Sequence, residues 1–196
     1  GQLLGLVLVA REALVVGTVG MVSRGMLGAT ALGLACRLSA TMACSAYVPR
    51  DFAGGGVYLA IDICSLAVVL GLCAALRQWP SFEEAVAGWA VAAGAATLGT
   101  VSHPHLSFVP CVDQAWMASM WLDGAALVAQ AVRCVRFPVH RQCLDAYAAC
   151  QFVGRCASLS FWLEAAARSE GDWPGAVLVA SAAQVVAAGV CAWACA

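Results

Sequence analysis

Apolar residues run along this chain in long blocks, and the polar residues gather into short breaks that carry Pro, Arg, Asp or Glu. A helix needs about 20 apolar residues to cross hydrocarbon, and the blocks have that length. The pattern predicts seven helical spans at about 1–19, 26–48, 55–76, 84–101, 114–133, 144–167 and 174–195. Arg11 and Glu12 interrupt the first block, which predicts a shortened helix ending near Arg11. The breaks include Pro49-Arg50-Asp51, Trp79-Pro80, His103-Pro104-His105, Phe137-Pro138 and Asp172-Trp173-Pro174, all of which disfavour continued helix. Trp79 and Trp173 fall at span ends, the headgroup level that an amphipathic ring prefers.

Composition moves the reading further from a soluble domain. Of 196 residues, 63% are apolar and 11% charged, and the mean hydropathy is +0.86. All ten basic residues are arginine against eleven acids, so no basic field for nucleic acid exists. The eleven cysteines sit mostly inside apolar runs and form no C-x-x-C pair, which argues against zinc and redox motifs. They read as small hydrophobes that let membrane helices pack closely. The chain opens on Gly1 within an apolar run, with no signal-peptide pattern, so the natural start is expected upstream.

Arginine counting predicts orientation. Arg11, Arg24, Arg77, Arg133, Arg136 and Arg141 fall in or beside the breaks after spans one, three and five, whereas Arg50 and Arg168 fall on the other side. The positive-inside rule then puts the N-terminus outside or lumenal and the C-terminus on the cytosolic-type side. The second and sixth spans each carry a lone arginine in similar surroundings, Ala35-Cys36-Arg37-Leu38-Ser39 and Gly154-Arg155-Cys156-Ala157-Ser158. This short likeness suggests two three-helix units joined by a linker helix, with the arginines at equivalent sites facing a shared cavity.

Arg37, Asp62, Asp123, Arg155 and Glu164 lie inside predicted spans, where an unpaired charge costs about 2.5–3.5 kcal/mol on insertion scales. They must face protein or water, and the obvious pairs join Arg37 or Arg155 to Asp123. One reading is a polar cavity whose arginine forks hold an anionic group such as a carboxylate. The other is a closed ion pair fastening helices two, five and six. Trp116 precedes Asp123 by seven residues and Arg155 precedes Trp162 by seven, which places each pair on one helix face. The rings then share the cavity of the charges or pack the interface beside it.

His103 and His105 flank Pro104 in a break, where a pH sensor or a metal ligand is conceivable; without carboxylate or cysteine partners they read as inert, and His140 adds no motif. No nucleophile has a base at recognisable spacing, and neither a Gly-rich phosphate loop nor an H-E-x-x-H motif occurs. The sequence thus predicts no enzyme activity, no metal site and no dedicated cofactor, leaving room for a bound lipid or pigment inside a larger complex.

Taken in order, these residues resemble the KDEL receptors, seven-helix proteins that retrieve escaped lumenal proteins and share a three-plus-one-plus-three plan with SWEET and PQ-loop transporters. The likeness spans nearly the whole chain. Gly20-Met21-Val22-Ser23 resembles the family's Gly-Ile-Ser segment at the start of helix two, with Arg11 nine residues earlier where the family has a lysine. Ala35-Cys36-Arg37-Leu38-Ser39 resembles the helix-two arginine segment. Ser102-His103, Trp116, Trp121-Leu122-Asp123 and Gln130 resemble the Asn-His, Trp, Tyr-Leu-Glu and Pro-Gln series. Tyr147, Arg155 and Trp162 fit helix six, and Asp172 with Gln184 fits helix seven.

The resemblance implies a lumen-open cavity in which arginines hold the C-terminal carboxylate and acidic side chains of a retrieval peptide. Arg37, Asp123, Arg155 and Trp162 carry over, with Trp116, Asp62 and Glu164 as secondary members. Other positions depart from the pattern. Ala40 stands where the family has an aspartate, Gly154 where it has a tyrosine, Phe161 where it has an asparagine and Ala165 where it has a further cavity arginine. The resemblance would place the helix-one arginine and the pH-sensing histidine at or before Gly1, and a lysine-bearing tail beyond Ala196.

Two functions from different classes follow. The chain is either a scaffold with a degenerate peptide site, recruited as an accessory subunit of a larger photosynthetic or respiratory membrane complex, or a pH-dependent receptor for H/KDEL-tailed proteins. The first predicts a thylakoid or mitochondrial membrane, with lipids and other membrane-protein subunits as partners. The second predicts ER and Golgi membranes and a C-terminal peptide ligand. Loss of charged contacts, each worth about 1.5–3 kcal/mol, favours the first. A SWEET-like sugar transporter would call for paired asparagines, which the matching helices lack.

Overall fold

A computed structural model describes residues 1–15, 22–44, 56–75, 82–103, 109–136, 142–168 and 175–195, except the side chains of 82–86 and 142–143. Within them the chain is all helical: α1 Gln2–Val15, α2 Arg24–Ala43, α3 Gly56–Ala75, α4 Phe82–Ser102, α5 Pro110–Arg136, α6 Gln142–Arg168 and α7 Gly175–Cys195. Of these, α2, α3 and α7 are long and apolar enough to cross a membrane. The sequence breaks around Arg50, Trp79, His105, Phe137, His140 and Trp173 lie outside the described residues.

Each helix sits close to its predicted span, with two corrections. The first does not end near Arg11: α1 continues through Arg11 and Glu12 to Val15. Leu6, Val9 and Ala13 form its buried stripe, and Arg11 projects from the exposed side, so the charge interrupts the apolar run without interrupting the helix. The second begins earlier and stops sooner than 26–48. Ser23 caps α2 by accepting the Met26 backbone N–H at 3.2 Å, and Cys44 leaves helical geometry at the far end. Helix α5 starts at Pro110, where a missing N–H costs nothing in the first turn.

The helices pack as a repeat. Helix α3 lies against both α1 and α2, which make little contact with each other; α7 likewise lies against both α5 and α6. The two triplets meet through α2 on α5 and α1 on α6, a reciprocal exchange, while α4 packs on α5 and α2. Two apolar zones result. The larger gathers Leu6, Met26, Leu34, Leu127, Tyr147 and Cys191, and the smaller gathers Ala40, Trp116, Met117, Met120, Val177 and Ala180. Along α2, α5 and α7 a polar layer separates them.

The outside is apolar as well. Ile63, Leu70, Trp89, Val101, Val186 and Trp193 are all more than half exposed, whereas Asp113, Asp123, Gln130, Gln151 and Gln184 are buried. Close approach between helices relies on small residues. A side chain at Gly99 of α4 would come within 3.0 Å of the Gln114 carbonyl, the Ala118 N–H and the Ala118 Cβ on α5.

Candidate functional site

The polar layer is built from six of the seven helices. On α2, Arg37 reaches sideways into α3 and α5. Its Nε and Nη2 donate to the two carboxylate oxygens of Asp62, each at 2.7 Å, in a bidentate fork. Its Nη1 donates to Asp123 Oδ2 at 3.0 Å, and Nη2 donates again to Gln2 Oε1 of α1 at 3.0 Å. The same Asp123 oxygen takes a second cation, Arg155 Nη2 of α6, also at 3.0 Å. Arg155 Nη1 donates to Gln184 Oε1 of α7 at 3.3 Å, and Gln184 Nε2 donates to the Met120 carbonyl at 2.7 Å.

Asp123 is the hub. Its side chain is 1% exposed, against 19% for Arg37, 11% for Arg155 and 15% for Asp62. A buried carboxylate so placed is stable only with cations on it, and two arginines share one of its oxygens. The second oxygen, Oδ1, has no hydrogen-bond partner among the described residues. It lies 3.3 Å from where a Cβ would stand on Gly33 of α2, so the missing side chain there makes room for the carboxylate.

The arginines occupy matching places. Counting from Arg24 and from Gln142, each is the fourteenth residue of its helix, α2 and α6. Each is held by the third helix of its own triplet, Asp62 for Arg37 and Gln184 for Arg155. Each is also held by the first, Gln2 for Arg37 and Asp123 for Arg155. The likeness around Arg37 and Arg155 in the sequence is matched by this exchange of partners.

These groups open on a cavity of about 370 Å³, lined on its apolar side by Tyr58, Trp116, Phe161 and Trp162. The Trp116 and Trp162 rings meet edge to face at 5.5 Å, and Phe161 meets Trp162 the same way at 4.9 Å. The seven-residue spacings thus bring rings and charges to the lining of one cavity. With two arginines and two aspartates, the layer has no formal excess charge.

Glu164 is the sequence-selected residue that stands apart. It is exposed and pairs with Arg168 one turn on along α6, so it neither lines the cavity nor joins the charge layer. Its position near the end of α6 explains this: nine residues, about two and a half turns of helix beyond Arg155, carry it past the polar layer and onto the opposite side of α6. His103 follows the end of α4, while His105 and His140 lie outside the described residues.

Sequence reasoning overlooked Gln2, and it found Gln184 only through resemblance. The available signal was an amide isolated in an apolar run, which needs a partner when buried. Gln130 shows the same logic: it accepts the Ser23 backbone N–H at 2.9 Å and thereby anchors the start of α2 to α5. Among the described residues, no group of three or more His, Cys, Asp or Glu is spaced to hold a metal ion. No protein family, curated protein or solved structure matches the chain.

Proposed function

We propose that this chain is a multi-pass membrane protein with a degenerate KDEL-receptor-like site, acting as an accessory subunit of a larger membrane assembly. In this reading all seven helices span the bilayer in a three-plus-one-plus-three plan, with α4 as the linker. The apolar exterior and the polar layer buried within it support a lipid surrounding. The packing of α3 between α1 and α2, repeated by α7 between α5 and α6, supports the plan. Arginine placement supports a lumenal N-terminus and a cytosolic-type C-terminus.

One observation carries the functional half. Arg37, the residue best placed to receive an anionic ligand, already gives its fork to Asp62 and its remaining nitrogen to Asp123. A polyanionic peptide tail would have to displace both carboxylates, leaving Asp62 without its cation and Asp123 with Arg155 alone, at a cost of several kcal/mol. Such a layer acts as glue between helices, not as a grip for cargo.

Extraction of the native protein in mild detergent tests this. Stoichiometric co-migration with other membrane subunits, at the mass of a large complex, is the expected result. A monodisperse free chain would overturn it.

The cavity favours a second reading, retrieval of H/KDEL-tailed proteins between Golgi and ER, because about 370 Å³ admits the end of a peptide. Calorimetry at about pH 5.5, within the histidine titration range, decides between the two. Micromolar binding of a KDEL-type peptide that disappears in Arg37→Ala would establish the receptor and exclude the scaffold.

A further inference from the structure

Away from the charge layer, the far ends of α5 and α7 bring thiols together. Cys134 of α5 and Cys195 of α7 are both buried, and their Sγ atoms stand 3.0 Å apart. That is roughly 1 Å beyond a disulfide bond and inside ordinary sulfur contact. Neither sulfur is held by a loop. Cys134 accepts from Gln130 Nε2 at 3.5 Å, and Gln130 is itself tied to the Ser23 backbone, so this side is fixed by three interlocked groups. Cys191 is also buried and stands one turn before Cys195 on the same face of α7.

We propose that Cys134 and Cys195 are a modification site: a thiol pair that peroxide converts reversibly to a disulfide locking α5 to α7. The packing supplies what the sequence lacks, since these cysteines are 61 residues apart and form no motif. In the first step a thiolate sulfur displaces hydroxide from hydrogen peroxide, giving a sulfenic acid; the thiol proton joins the hydroxide as water. In the second, the facing thiol attacks the sulfenic sulfur, the sulfur–sulfur bond forms, and its proton leaves with the hydroxyl as a second water. Two thiols are oxidised by two electrons and one peroxide is reduced to two waters. Cys191 stands where it can exchange with the new bond, the arrangement that a reversible site requires.

The chain's arginines make the test direct. Cleavage after arginine releases Cys134 in the tripeptide Cys134-Val135-Arg136, and Cys195 in the segment from Ser169 to Ala196. The full chain in mild detergent is reduced, freed of reductant, exposed to hydrogen peroxide, alkylated, digested and read by mass spectrometry. The expected result is a linked tripeptide and at least a tenfold fall in its alkylated form, both reversed by reductant. Cys134→Ser and Cys195→Ser each abolish the link, whereas Cys191→Ser retains it. Folding of each variant is checked by gel filtration, and in the unmodified chain the linked form melts several degrees higher than the reduced form. A tripeptide that stays alkylated under peroxide, or that links only after denaturation, would overturn the proposal.

Discussion

The two triplets handle the same buried cation differently. Arg37, in the first, meets two carboxylates and an amide, with its fork closed bidentately on Asp62. Arg155, at the matching place in the second, meets one shared carboxylate oxygen and an amide at 3.3 Å. Where α3 supplies an aspartate, α7 supplies a glutamine, and where α1 supplies a glutamine, α5 supplies the shared aspartate. A repeated scaffold can therefore carry unequal chemistry, provided that one hub residue balances both halves. Asp123 is that hub, since one of its oxygens holds both arginines.

The largest expected effect comes from breaking the hub. Asp123→Ala removes a partner from both arginines at once and should lower stability by about 3–5 kcal/mol, seen as a large fall in Tm in detergent. A loss below about 1 kcal/mol would mean that water already satisfies the arginines. The next comparison sets Arg37→Lys beside Arg155→Lys. Lysine keeps the charge and loses the fork, so Arg37→Lys should cost about 2–3 kcal/mol and Arg155→Lys about 1 kcal/mol. Equal costs would contradict the asymmetry.

Gln184→Leu probes the weaker half alone. It frees Arg155 Nη1 and the Met120 carbonyl, for a loss of about 1–2 kcal/mol in the same melting assay. Combined with Arg155→Lys it should be clearly less than additive, because the two share a contact. The smallest effect belongs to Glu164→Gln, which touches only an exposed pair one helical turn apart. About 0.3 kcal/mol or less is expected, and a larger loss would show Glu164 acting on something beyond Arg168.

Much of the architecture was legible because hydrocarbon-length blocks and proline-bearing breaks are local signals. The charge at Arg11 misled, since a periodic stripe of Leu6, Val9 and Ala13 keeps a helix packed even where hydropathy dips. Glu164 misled for the opposite reason: lying within an apolar block does not say at what height along the bundle a residue emerges. The glutamines were hard to read because an amide costs less to bury than a charge and so stands out less.

What the sequence alone determined is the class of object: apolar helices in chain order, two lone arginines in similar settings, and acids inside apolar runs that had to find partners. These follow from spacing and from the cost of an unpaired charge, which any folded arrangement must meet. Only the tertiary structure decided who the partners are. That Arg37 closes on Asp62, that one Asp123 oxygen serves both arginines, and that Cys134 meets Cys195 across α5 and α7 depend on which helix faces turn toward each other. Packing sets those faces, and packing is a property of pairs of helices far apart in the chain.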